Sequence, residues 1–230
     1  MSILEPAIEL CGDSSLLLTW TANDDAAVES AVHAAHACLA RAALPPVTGL
    51  VPGWDSLGVN FDPLLISAAE LRKTVLVLLA SEVAFDLQTP RVVTLQVSFL
   101  TDDAPDLNDV ARACGVSVKD CVRLIEGTEL RVRMLGFAPG FPYLTGLPDV
   151  LRVPRRATPR LRVPAGSLAI AGGLAGIYPQ PSPGGWQLVG RVQQSLFSPH
   201  ASPPCLLRAG DRVRFVQATA GLSGEGEVAG

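Results

Sequence analysis

The apolar positions of this chain change period along its length. Ile8–Cys11 and Leu16–Trp20 read as two short strands across the polar turn Gly12-Asp13-Ser14. Asn23 or Asp24 then caps a helix that runs to about Leu44, where Pro45-Pro46 stops it. Val28, Ala31, Val32, Ala35, Cys38 and Leu39 recur at spacings of three and four, so one helix face packs. Val47–Val51 and Leu57–Phe61 read as strands around Pro52-Gly53-Trp54. Ser67-Ala68-Ala69-Glu70 has the capping-box pattern and opens a helix to about Leu79. The order strand, strand, helix, strand, strand, helix predicts a small α+β domain with helices on one face of an antiparallel sheet.

The period lapses near Ala84–Pro90, and a domain boundary is expected there, separating residues 1–88 from 89–230. Beyond it, Arg91–Phe99 is rich in β-formers. Asp106–Cys114 predicts a short capped helix ended by Gly115, and Ser117 opens another that Gly127 stops. Glu129–Leu135 alternates apolar and charged residues. Short strands follow at Leu161–Val163, Leu168–Ala171, Trp186–Val189, Leu206–Leu207 and Arg212–Val216, each set off by Pro or Gly. Many short strands with turn signals predict a barrel or a sandwich. The small, polar tail 217–230 is expected to fray.

Composition fits a folded protein: 48% of the 230 residues are hydrophobic and 17% charged. The net charge of −4 conceals an asymmetry, since residues 1–130 carry 18 acids against 7 bases and residues 131–230 carry 4 against 11. The basic excess is all arginine, because Lys73 and Lys119 both lie in the acidic half. A groove tracking a nucleic-acid backbone would mix lysine with arginine and interleave aromatics, so nucleic acid is not expected. Five cysteines with no C-x-x-C pair argue for reduced thiols and a cytoplasmic protein. The opening residues lack a basic, apolar leader, and no run is long and apolar enough for a membrane span.

The window from Arg131 to Arg191 holds eight of the sixteen arginines and one acid, Asp149, together with ten glycines and nine prolines. Proline and glycine prescribe loop shapes, and arginine supplies planar charged forks for carboxylates and phosphates. Arg155, Arg156 and Arg160 crowd one loop. They repel unless an anion or an acidic neighbour answers them, which leaves an anion site and a docked basic face both open. The run from Ala171 to Gly176, with Gly172 and Gly173, reads either as a backbone anion nest or as a barrel corner. Ser182-Pro183-Gly184-Gly185 is a tight turn that places Trp186 either as a stacking wall or in the core. Phe137, Pro139, Phe141 and Tyr143 suggest a pocket rim or a partner-docking surface. His33 and His36 stand at i, i+3 but are expected as surface histidines rather than metal ligands, and no metal is expected. His200 reads as a solvated loop histidine. No phosphate-binding loop, nucleophile elbow or zinc-protease helix occurs, and no residue stands out as a nucleophile.

The strings GFAPGFPYLTGL (136–147), PRRATPRLRVPAGSLAIAG (154–172), GIYP (176–179) and SPGGWQLVGR (182–191) closely resemble the family of 5-oxoprolinase B-type subunits, also called the KipI or allophanate hydrolase subunit 1 family. CGDSSLLL (11–18), LVPGWDSLGVNFDP (50–63) and APDLNDVARACGVS (104–117) extend the resemblance upstream. It implies an α+β fold, with a small N-terminal domain followed by a cyclophilin-like β-barrel. It further implies one component of an ATP-dependent 5-oxoprolinase, paired with a C-type subunit (allophanate hydrolase subunit 2-like) and completed by an A-type subunit. The reaction opens the lactam of 5-oxo-L-proline to L-glutamate. On that resemblance Arg155, Arg156, Arg160, Ser167, Gly172, Gly173, Gly176, Tyr178, Ser182, Trp186 and Arg191 are the candidates for binding substrate or anion, while ATP is expected in the complex.

Three positions depart from the family pattern. Leu174-Ala175 replaces a Gln-Thr pair before Gly176, Val192-Gln193 replaces Thr-Pro after Arg191, and Ser98–Asp102 lacks a usual Tyr-Gly pair. They bear on the substrate more than on the fold. The alternatives are a KipI-type regulator of a sensor histidine kinase and a component of a hydrolase complex acting on an allophanate or urea-derived amide. A prolyl isomerase, suggested by the barrel alone, ranks last.

Overall fold

The computed structural model describes residues 4–81 and 90–218. The first strands are β1 (Ala7–Leu10) and β2 (Ser15–Thr19), followed by α1 (Asp25–Ala42), β3 (Val47–Pro52), β4 (Ser56–Phe61) and α2 (Ala68–Ala80). The four strands form an antiparallel sheet in the order β1-β2-β4-β3. Alternate residues of this sheet, Leu16, Leu18, Leu57, Val59 and Phe61, are buried against Val28, Val32, Ala35 and Leu39 of α1 and Leu71 and Val75 of α2. The strand period of two and the helix period near 3.6 therefore put both apolar sets into one core. Asp24 caps α1 by accepting from the Ala26 N–H, and Ser67 and Glu70 form the expected capping box of α2. Helix α1 stops two residues before the expected Leu44. Pro45 restricts the residue ahead of it, and Ala43 takes a left-handed turn instead.

The chain continues through β5 (Val92–Ser98), α3 (Leu107–Cys114), α4 (Val118–Glu126), β6 (Leu130–Leu135) and β7 (Pro142–Thr145). A 3-10 turn at Asp149–Leu151 precedes β8 (Arg160–Val163), β9 (Ser167–Ala171), β10 (Leu174–Ile177), β11 (Ser182–Gly184), β12 (Gln187–Val192) and β13 (Arg212–Gln217). Seven strands close a barrel in the order β10-β7-β6-β13-β5-β12-β9, and β8 and β11 form a separate ribbon. The architecture is α+β with a barrel. The described residues fall into two compact units. One lies within Met1–Arg91, Arg131–Leu144 and Leu207–Arg212; the other lies within Val92–Leu130, Thr145–Leu206 and Val213–Gly230.

Several expectations need correction. Leu206–Leu207 is not a strand: Phe197 and Cys205 form an isolated bridge there, and the Leu206 N–H donates to the Leu196 carbonyl. Strands β7, β10 and β11 each contain Pro or Gly and were not expected. The boundary expected near 84–90 lies largely outside the described residues, as does the tail from residue 219. Among the described residues no helix is long and apolar enough to cross a membrane, and no cluster of His, Cys, Asp or Glu is placed to hold a metal.

Candidate functional site

The arginine-rich loop is held by one buried carboxylate. Asp106 stands just ahead of α3, where a helix cap was expected, yet its side chain makes no capping bond. Instead Oδ1 accepts from Arg156 Nη1 at 2.9 Å and from Arg160 Nη2 at 2.7 Å. Oδ2 accepts from the Leu188 N–H of β12 at 2.7 Å, while the Asp106 N–H donates to the Leu188 carbonyl. Asp106 is 3% exposed, and Arg156 and Arg160 keep 34% and 23% of their side chains open. Like charges crowded on one loop are thus answered by an acid of the same unit. The triad of two guanidinium groups and one carboxylate keeps a single positive charge.

The surrounding residues fix this geometry. Arg160 opens β8 opposite Gly184 of β11, and the Arg156 N–H donates to the Gly185 carbonyl at 2.7 Å. Gln187 Nε2 donates to the Pro154 carbonyl, tying the other end of the loop to β12. Tyr178 is buried against Gly184, where any Cβ would overlap the phenol hydroxyl. Trp186 is 7% exposed, and the exposed Arg155 lies 6.0 Å above its ring. Ser182 opens β11 with its Oγ buried and, among the described residues, unbonded; Arg156 Nε and Arg160 Nη1 share that condition.

The other candidates sit on the barrel strands. Ser167 of β9 is buried and pairs in register with Arg191 of β12, whose guanidinium lies 2.9 Å from Asp103. Gly176 of β10 pairs with Ala169. Gly172 and Gly173 form the β9–β10 turn, both with positive φ, and the Gly172 N–H is committed to the Val153 carbonyl at 2.7 Å. The turn therefore spends that donor on the protein itself. Asp106 and Asp103 were missed as arginine partners by sequence reasoning, although Asp106 lies within the quoted APDLND segment and Asp103 directly precedes it. The signal available was acids close in sequence that a basic loop needs.

In the other unit, Phe137 has φ of 68°, and the Ala138 N–H donates to the Gly136 carbonyl around it. This γ-turn leaves Phe137 64% exposed, edge-on to the buried Phe141 at 5.3 Å, and Phe141 meets Tyr143 at 5.1 Å. Pro139 is exposed.

The same unit holds an ionic network that was not expected. Arg133 of β6 is 2% exposed. It donates to both Asp25 carboxylate oxygens, to Glu29 and to the Trp54 carbonyl, and stacks on the Trp54 ring at 4.3 Å. Arg131 pairs with Glu29 at 2.9 Å and donates to His33 Nδ1 at 3.1 Å. His33 Nε2 lies 2.8 Å from the Arg133 carbonyl, so the neutral ring carries its proton on Nε2. His33 is therefore no surface histidine: burial first, with Arg131 adding, pushes it below the ordinary histidine value, against the pull of the Arg133 carbonyl. Burial lowers the half-buried His36 as well. His200 is exposed. All five cysteines are free, and burial pushes the Cys121 thiol up to about 11. A thiol so high is protonated near neutrality and a poor nucleophile.

A barrel fold with this arginine-bearing ribbon defines a class. The chain belongs to the carboxyltransferase domain family, subdomains C and D, whose pattern matches residues 6–207. It is 38% identical over 221 residues to the 5-oxoprolinase B-type subunit of Bacillus subtilis strain 168, a match covering 91% of this chain and 92% of that protein. A second 5-oxoprolinase B-type subunit, from Escherichia coli O157:H7, is 50% identical over 132 residues, covering 57% of this chain and 61% of its own length. The crystal structure of TTHA0988 superposes with a TM-score of 0.78 at 35% identity over 90% of this chain. The chain spans only 40% of TTHA0988. The resemblance drawn from residues 136–191 to the 5-oxoprolinase B-type subunits is thereby borne out.

Proposed function

We propose that this chain is the B-type subunit of an ATP-dependent 5-oxoprolinase. The observation that carries the reading is its 38% identity, across 91% of its length, to a protein of that name. In this reading it acts with a C-type and an A-type partner. Phosphorylation of the lactam oxygen of 5-oxo-L-proline turns that oxygen into a leaving group. Water then adds to the activated carbon, the ring C–N bond breaks as nitrogen takes up a proton, and the acyl phosphate so formed is cleaved by a second water to L-glutamate and inorganic phosphate. The substrate is a small anion, and Arg155, Arg156, Arg160 and Arg191 are the groups of this chain that meet its negative charge. ATP is assigned to the complex and not to a residue here.

The test is 5-oxo-L-proline-dependent ATP hydrolysis with glutamate release, measured for this chain alone and then with its C-type and A-type partners. Activity in the full mixture only is expected, and Arg156→Ala is expected to lower it roughly a hundredfold, the scale of losing one preorganised donor. A complex that assembles but turns over no 5-oxo-L-proline overturns the substrate assignment.

A further inference from the structure

We propose that Asp106 is the positioning residue of the substrate site, holding Arg156 and Arg160 as a preformed pair for the carboxylate of 5-oxo-L-proline. The proposal rests on the reading above and adds the part of the substrate that this loop takes. Its first support is geometry. Two arginines four residues apart converge on one oxygen of a carboxylate that is itself nearly closed to solvent. The second oxygen is fixed by a backbone N–H of β12, so Asp106 has one orientation and the guanidinium planes follow it. Its second support is polar satisfaction. Arg156 Nε and Arg160 Nη1 are buried without a hydrogen-bond partner among the described residues. Such groups are costly to leave unmade, and they mark places where a ligand completes the set. Its third support is charge. The triad retains one positive charge, which balances a monoanionic carboxylate and leaves a phosphate dianion or a triphosphate under-neutralised.

The test uses the full-length chain and the side-chain N–H resonances of its arginines. Titration with 5-oxo-L-proline is expected to shift Arg156 and Arg160 saturably. Pyrrolidin-2-one, the same lactam without the carboxylate, should leave them in place, and inorganic phosphate should bind at least roughly tenfold more weakly. Asp106→Asn keeps the shape and removes the charge. It should weaken 5-oxo-L-proline binding roughly tenfold or more while the melting curve stays cooperative. If that variant does not fold, Arg156→Gln and Arg160→Gln each leave Asp106 one guanidinium partner, and each should show the same loss. Wild-type affinity in a folded Asp106→Asn chain overturns the proposal, as do equal shifts with pyrrolidin-2-one or tighter binding of phosphate. The two readings fail separately. Carboxylate binding with an assembled but inactive complex sinks the 5-oxoprolinase assignment alone, whereas an active complex with unmoved arginine resonances sinks the role of Asp106.

Discussion

Arg133 shows how much a single side chain can hold. Its guanidinium is buried among Asp25, Glu29 and the Trp54 carbonyl. Arg133→Met removes the cation and leaves Glu29, 6% exposed, short of a partner. Breaking a buried ion pair from one side costs about 3–5 kcal/mol, and a urea titration should show that loss. His33 carries the pH dependence of the same network. Because burial lowers its folded pKa, the unfolded chain protonates first as pH falls through about 6.5, and it then binds more protons than the folded chain. Stability should therefore decline from about pH 7 toward the lower folded value and then level off, with His36 adding in the same direction. His33→Gln should flatten the fall in urea midpoint over that window, and an equal slope in both proteins would contradict this account. These residues were partly legible. Asp25, Glu29 and His33 recur at four-residue spacing, a polar stripe beside the apolar face of α1. The partners on β6 lie a hundred residues away, and no local pattern names them.

Elements were read well where period and caps agreed. Both strand pairs of the first sheet, α2 with its box, and the helices ending at Gly115 and Gly127 follow from local signals. Strands β7, β10 and β11 escaped because Pro142, Gly176, Pro183 and Gly184 lie inside them, and these residue types normally punctuate. In β10 the small residues are buried on both sides, so a barrel wall looks like a loop in sequence. Two glycines separate the causes. Gly115 ends α3 at φ of 68° with open space where a Cβ would go, so Gly115→Ala should cost about 1 kcal/mol through backbone conformation alone. Gly184→Ala drives a methyl into the buried Tyr178 ring, and about 1–3 kcal/mol of overpacking is expected. Thermal melts that rank the two variants the other way would mean Tyr178 can yield.

At the scale of the molecule, the first compact unit is not one stretch of chain. Residues 131–144 and 207–212 complete what residues within 1–91 begin. Asp211 accepts from Arg91 and from the Arg208 N–H, and the Gly210 N–H donates to the Val132 carbonyl. A fragment ending at residue 88 lacks Arg131 and Arg133, so Glu29 and His33 lose their partners. It is expected to unfold without a sharp transition when followed by circular dichroism in urea, and a wild-type midpoint would refute that expectation. Charge counting showed an acidic and a basic half in the sequence. It did not show that basic residues of the later segments complete the acidic α1, since that depends on topology.

This discontinuity has a consequence for synthesis. A chain emerging from a ribosome presents α1, with its apolar stripe and its acids, long before Arg131 and Arg133 are made. The last piece of the unit, at 207–212, arrives only after residues 145–206 have been made as well. The N-terminal segment must wait, half-built and sticky, through the production of more than a hundred further residues, and a translation pause in that interval should make nascent chains depend on a holding chaperone.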